Sequence, residues 1–235
     1  MTELSRIGRF LFAGAMAAFG IQYLLHAFVA GPVPGPPWSP GRPLWAYLAV
    51  AVLMVAAVCI ATGKKVGWAA TALAIMLVVR GVLVYAPRLA TNIHDPGPWT
   101  SGFEILAMGG AALAVAGTAT ELGRLLFAFP LVVFGVQHFL YARFIATLVP
   151  AWIPGRLLWA YFVGAAFFAA AVSITTRKSA GLAATLLGLM FFLWVFSVHL
   201  PRVAAASHDG KEWTSAFVAL AMCGGAWVVA GERKN

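Results

Sequence analysis

The sequence predicts an all-α, polytopic integral membrane protein whose eight transmembrane helices form two parallel four-helix repeats. Three observations predict it. Of the 235 residues, 62% are hydrophobic and only 10% charged, where a soluble domain carries about 25% charged residues; mean hydropathy is +0.90. Apolar runs near the roughly 20 residues that a bilayer requires recur along the whole chain. The string Pro-Gly-Arg-x-Leu-Trp-Ala-Tyr occurs at 40–47 and again at 154–161.

That duplication extends over most of the chain. At an offset of 114 residues Pro87-Arg88 meets Pro201-Arg202, His94-Asp95 meets His208-Asp209, and Trp99-Thr100-Ser101 meets Trp213-Thr214-Ser215. At the start of each copy the offset is 115, so that Gly8-Arg9 meets Gly123-Arg124 and Phe19-Gly20 meets Phe134-Gly135. One residue has been lost from the second copy before its Pro-Gly-Arg turn. The domains are therefore residues 1–120 and 121–235, each a four-helix unit.

In the first copy the spans fall at about 8–30, 43–62, 66–86 and 100–118. In the second they fall at about 123–148, 157–175, 180–200 and 214–231. The first run, preceded by Arg6 and Arg9, has the look of a signal peptide. Its twin lies in mid-chain, so the first run is expected to be retained as a span. Pro130 is expected to kink the fifth span. Four spans per unit is an even number, so both units enter from the same side and the repeat is parallel. The duplication suggests two bundles about a pseudo-two-fold axis along the membrane normal. Whether they are separate or fused into one eight-helix body stays open.

The formal charge of +9 follows from basic residues flanking the spans, as insertion and anionic lipid favour, and implies the lipid bilayer as partner. Blocks of basic residues of the kind nucleic-acid binders carry are absent, so nucleic acid is not an expected partner. Nine Lys and Arg on one side against six on the other place both termini in the cytoplasm, in a cell membrane of the bacterial inner-membrane type. The outer side has the longer loops and collects Trp38, Trp45, Trp99, Trp152, Trp159 and Trp213, an aromatic belt at the interface. Cys59 and Cys223 lie apart in apolar runs and form no C-x-x-C pair, which argues against dithiol redox chemistry. No pattern of metal ligands stands out.

Three constellations carry polar chemistry. The first is the outer loop of each unit, with Arg88, His94 and Asp95 in one copy and Arg202, His208 and Asp209 in the other. Thr100 or Ser101, and Thr214 or Ser215, are natural N-caps for the helix that follows, and an Asp before them favours its dipole. The functional alternative is an outward site of His, Asp and Arg suited to an anion or a quinone head group. The second lies in the first span of each unit: Gln22, Tyr23 and His26 match Gln137, His138 and Tyr141. Each His/Tyr pair is spaced i, i+3 and shares a helix face. Tyr85 is matched by His199. Such groups bond between helices, handle protons or, for His138 and His199, ligate a haem axially; haem needs two facing histidines in one bundle, and the first unit has only His26 within its spans.

The third constellation breaks the symmetry. Arg80 aligns with Trp194 and Glu104 with Val218. At a rise of 1.5 Å per residue both charges lie roughly 6–9 Å below the outer ends of consecutive antiparallel helices. An unpaired charge there costs on the order of 3 kcal/mol, so an intramembrane Arg80–Glu104 ion pair is expected.

The opening Gly-Arg-x-Leu-Phe-Ala, the Phe-Gly-x-Gln-(His/Tyr) run, the outer proline-rich loop and the Tyr-x-x-Gly helix resemble the DoxX-like family. The second copy carries this best, through 134–139, 153–155 and 161–164. The first departs from it, with Tyr23-Leu24 for His-Phe and Val50 for Gly164. The resemblance spans both units. It implies the four-helix fold and a redox-associated membrane component, similar to the membrane subunit of an archaeal thiosulfate:quinone oxidoreductase. A component of that kind would bind a quinone or hand electrons to a membrane or periplasmic redox partner; the cofactor itself stays unknown from the sequence. The resemblance assigns no catalytic residue. A small-solute permease and a non-catalytic membrane scaffold are the alternatives.

Overall fold

The computed structural model describes residues 2–29 and 42–232. The proline-rich outer loop of the first repeat, with Trp38, lies outside the described residues. So does the His26 side chain.

Eight helices are long and apolar enough to cross a membrane. They are α1 (Glu3–Val29), α2 (Arg42–Thr62), α3 (Val66–Thr91), α4 (Pro96–Ala116), α5 (Thr120–Leu140), α7 (Arg156–Thr176), α8 (Ala180–Trp194) with its extension, and α10 (Gly210–Ala230). The extension is a single π turn, Val195–His199, followed by α9 (Leu200–Ala205). Leucines, valines and phenylalanines point outward from these helices in large numbers, as they do only where hydrocarbon replaces water. The chain is a multi-pass integral membrane protein.

The expected fifth span of 123–148 is divided. It breaks at Tyr141, whose backbone leaves the helical region, and resumes as the short α6 (Ala142–Leu148). Pro130, expected to kink this span, lies fully buried within a helix that continues to Leu140. The third helix also outruns its expected end, passing through Pro87 to Thr91.

Each long helix packs on its neighbours in chain order, α1 on α2, α2 on α3, α3 on α4, α4 on α5, α5 on α7, α7 on α8 and α8 on α10. Then α10 packs on α1 and closes a ring. Helices α4 and α10 also meet across the middle. The first helix of each repeat thus packs on the last helix of the other, and the two units form one fused body rather than two separate bundles.

Glycine pairs permit both of these joints. A Cβ on Gly110 of α4 would stand 2.5 Å from the Phe127 nitrogen and 2.6 Å from the Gly123 oxygen of α5. A Cβ on Gly224 of α10 would stand 2.5 Å from the Phe12 nitrogen and 2.6 Å from the Gly8 oxygen of α1. Backbones this close exclude any side chain, the device membrane helices use in place of a hydrophobic driving force. The same four positions correspond under the repeat offset.

The half of the bundle that holds the start of α1 and the end of α10, here the inner half of the expected topology, is solidly packed. Phe12, Ile60, Leu73, Phe127, Leu131 and Ile174 are fully buried there. At this end of the bundle Arg124 is 5% exposed and donates to the carbonyl oxygens of Ile174 and of Thr175 (2.9 Å). These close the C-terminus of α7, where a cation is favoured. Glu121 pairs with both Arg124 and Arg177.

Candidate functional site

The outer loops place their polar residues apart. Asp95 and Asp209 are the N-caps of α4 and α10, accepting from the Gly97 and Lys211 nitrogens at 3.0 and 2.8 Å. This corrects the expectation that Thr100 or Ser101, and Thr214 or Ser215, would cap. The helices start four residues earlier than those hydroxyls, which instead bond back along their own helices, Thr100 to the Pro96 oxygen and Thr214 to the Gly210 oxygen. Indole N–H groups pin both loops, Trp99 to the Ile93 oxygen and Trp213 to the Ser207 oxygen, at 2.8 and 2.9 Å. His94 and His208 are exposed. Arg88 lies over the Tyr85 ring at 5.5 Å, whereas Arg202 pairs with Glu212 at 2.8 Å. The loops therefore assemble no shared His–Asp–Arg site.

The glutamines of the first spans bond across the repeats. Gln22 donates to the Gly210 oxygen and to Thr214 Oγ1, both at 2.8 Å. Gln137 donates to the Pro96 oxygen at 3.2 Å and accepts from Thr100 Oγ1 at 3.2 Å. Each glutamine thus ties the outer end of a first helix to the start of the other repeat's last helix. Neither sequence neighbourhood nor periodicity discloses this partner.

Two cavities lie towards the end of the bundle that carries the loops before α4 and α10, and they are counterparts under the repeat. The small one, of about 100 Å³, is lined by Phe19, Tyr23, Arg80, Tyr85, Glu104 and Met108 among others. The large one, of about 540 Å³, is lined at the matching positions by Phe134, His138, Trp194, His199, Val218 and Met222. Both α4 and α10 contribute to each cavity, and Glu104 and Val218 face both. The polar cluster of the second repeat (Gln137, His138, Tyr141 and His199) is gathered in the large cavity, together with Arg202 and with Glu104 from the first repeat.

The break at Tyr141 and the π turn enlarge this side. Where α1 runs straight on, α5 stops, and α6 turns away with Phe144, Ile145 and Leu148 on the cavity rim. The π turn places Ser197, Val198 and His199 on the wall, a local widening often met at functional sites. The rest of the wall is aromatic: Phe167 stacks edge-on with His138 at 5.1 Å and with Trp194 at 6.1 Å, and Phe191 with Trp194 at 5.4 Å.

The expected Arg80–Glu104 ion pair is not made. Both residues line the small cavity, so their depths do match, but no contact within 4.0 Å joins them. The Arg80 guanidinium lies over the Tyr23 ring instead, 5.3 Å from its centre, and its buried Nε has no hydrogen-bond partner. The cation–π contact offsets part of its desolvation, and the axial matching that suggested the pair does not specify which way each side chain turns. No described group of three or more His, Cys, Asp or Glu is placed to hold a metal; Cys59 and Cys223 are both free thiols.

A family model described as "Domain of unknown function (DUF8561)" matches residues 127–223, a stretch running from α5 into α10 that includes most of the large cavity's wall. No curated protein matches the chain, and no solved structure matches it.

Proposed function

We propose that the protein is a DoxX-like, redox-associated membrane component that takes a quinone-class molecule from the bilayer into the cavity of its second half. The observation that carries this reading is the cavity itself. Its volume of about 540 Å³ falls within the roughly 300–1,000 Å³ range of small-molecule sites, and its aromatic wall with a few convergent polar groups follows their usual make-up. The α6 rim, with Phe144 66% exposed, offers an entrance at the level of the lipid. Arg202, held by Glu212, stands at the outer mouth, where a membrane or periplasmic redox partner would approach. A permease reading is less favoured, because the inner half beneath both cavities is filled by the buried residues named above. The cell membrane, with both termini cytoplasmic, is the setting in which this mouth faces outward.

The test is an absorbance spectrum of the protein purified in mild detergent, oxidised and then reduced, with solvent extraction and assay for quinone. Stoichiometric quinone supports the reading. A haem band would redirect it to axial ligation by His138 and His199. A blank in both, together with no binding of an added short-chain benzoquinone, overturns it.

A further inference from the structure

We propose that the small cavity of the first half is a site for a small inorganic anion of the halide class, with Arg80 as its cation. The inference starts from a charge that the fold leaves uncompensated. A guanidinium does not lose its proton in a protein, so Arg80 is a cation whatever surrounds it. Helix α3 runs on to Thr91, which puts Arg80 roughly 16 Å below that end at 1.5 Å per residue, further than its side chain can stretch. Among the described residues it makes no ion pair and donates no hydrogen bond, and its Nε is enclosed without a partner. The Tyr23 ring, with its centre 5.3 Å from the guanidinium carbon, supplies a quadrupole but no opposing charge. A charge left alone at membrane depth is costly, and where one persists it marks an ion or ligand site more often than a packing device.

The fold itself does not call for a cation here. The corresponding residue of the second repeat is Trp194, which packs edge-on against Phe167 and Phe191. Beside Arg80 lies open space instead: a cavity of about 100 Å³, with room for several waters and so for a bare halide. Tyr85 and Ser101 also line it. Neither gives its hydroxyl hydrogen to a described residue, so both can turn a donor towards an anion. Thr214 cannot, because its hydroxyl hydrogen goes to the Gly210 oxygen. Glu104 is on this wall too. As a neutral acid it adds a further donor; as a carboxylate it would repel the anion and balance Arg80 through water. Helices α3 and α4 pack against each other and both side chains are long. Opposite charges in so small a cavity would close to contact, yet the two stay more than 4.0 Å apart and the guanidinium turns to Tyr23. That separation favours a counter-charge other than Glu104.

The experiment is equilibrium dialysis of the detergent-purified full chain against radiolabelled chloride, in gluconate buffer of constant ionic strength. The unmodified protein is expected to hold a single saturable chloride. Arg80→Gln and Arg80→Trp, two charge-free replacements of different shape, are each expected to lose about tenfold or more in affinity, as removal of one or two charge-assisted hydrogen bonds does. Glu104→Gln, which cannot carry a negative charge, is expected to bind chloride at least as tightly as the parent. Saturable binding that survives both Arg80 variants overturns the inference and places the anion elsewhere. Loss of binding in Glu104→Gln also overturns it. So does the absence of saturable binding by the unmodified protein; if Glu104→Gln then acquires a site, Glu104 is the counter-charge of Arg80 through water. None of these outcomes bears on the quinone-class reading of the large cavity, which the extraction assay tests separately.

Discussion

Replacing Gly110 with alanine tests the close joint between α4 and α5 directly. The added Cβ would lie 2.5–2.7 Å from three backbone atoms of α5: the Phe127 nitrogen, the Gly123 oxygen and the Leu126 carbonyl carbon. Ordinary contact begins near 3.4 Å, so the two helices must part by roughly 1 Å, and backbone cannot rotate aside as a side chain can. Overpacking of this kind costs about 1–3 kcal/mol, against about 0.5–1 kcal/mol recovered from better helix propensity. The net loss is about 1–2 kcal/mol, or roughly 2–8 °C in Tm for a chain of this size. Gly14 is the control, because a Cβ there meets nothing within 4 Å. Gly14→Ala is expected to leave Tm unchanged or raise it by roughly 1–3 °C. Thermal melts of both variants in mild detergent decide the matter. If Gly110→Ala and Gly14→Ala shift Tm alike, the helices do not approach as described, and the ring is wrong at that joint. Gly224→Ala at the matching joint should behave as Gly110→Ala does.

Three further outcomes are expected. Arg124→Gln removes charged hydrogen bonds to the α7 carbonyls and the tie to Glu121, and should lower stability by about 3 kcal/mol, read by the same melt. Ala119, at φ 49°, sits in the left-handed region, so Ala119→Gly should stabilise by about 1 kcal/mol. Glu232 lies just beyond the last span, and burial pushes its carboxyl up to about 7, with Arg124 and Arg177 opposing and Glu121 adding to the rise. Its folded pKa exceeds the unfolded one, so the folded state holds the proton more tightly. Stability should therefore fall as pH rises from about 4.5 to 7 and level off above that. Glu232→Gln should flatten this fall in melts taken across that window, with a higher Tm than the parent at pH 8 and the same Tm at pH 4; equal pH profiles would refute the assignment.

Much of the architecture was legible because a bilayer allows so few solutions. Span number, span length and the match between copies follow from apolar runs and a shared offset. What pairs with what across the copies was not legible. Each copy reads equally well as a closed bundle, and nothing near Gln22 announces that its partner is the start of α10. The caps were misjudged by one turn because Pro96 and Gly210 both admit a helix start right after an aspartate. The break at Tyr141 carries no proline or glycine to mark it. Of the polar residues singled out, the second-repeat cluster shares one cavity, while the outer His and Asp residues serve loops and caps. Glu104 was read as a partner for Arg80 alone. Its place on the wall of the opposite repeat's cavity depends on α4 meeting α10, a contact that no local pattern encodes.

The packing of α1 on α10 also bears on how the chain is made. Helix α1 packs most extensively on α10, which is synthesised more than 180 residues later. Until α10 arrives, the Gly8 face of α1 and the amide of Gln22 have only lipid, or an insertion factor, to meet. Premature termination before Gly210 should therefore leave a protein with its preceding spans inserted but the seam between α1 and α10 open.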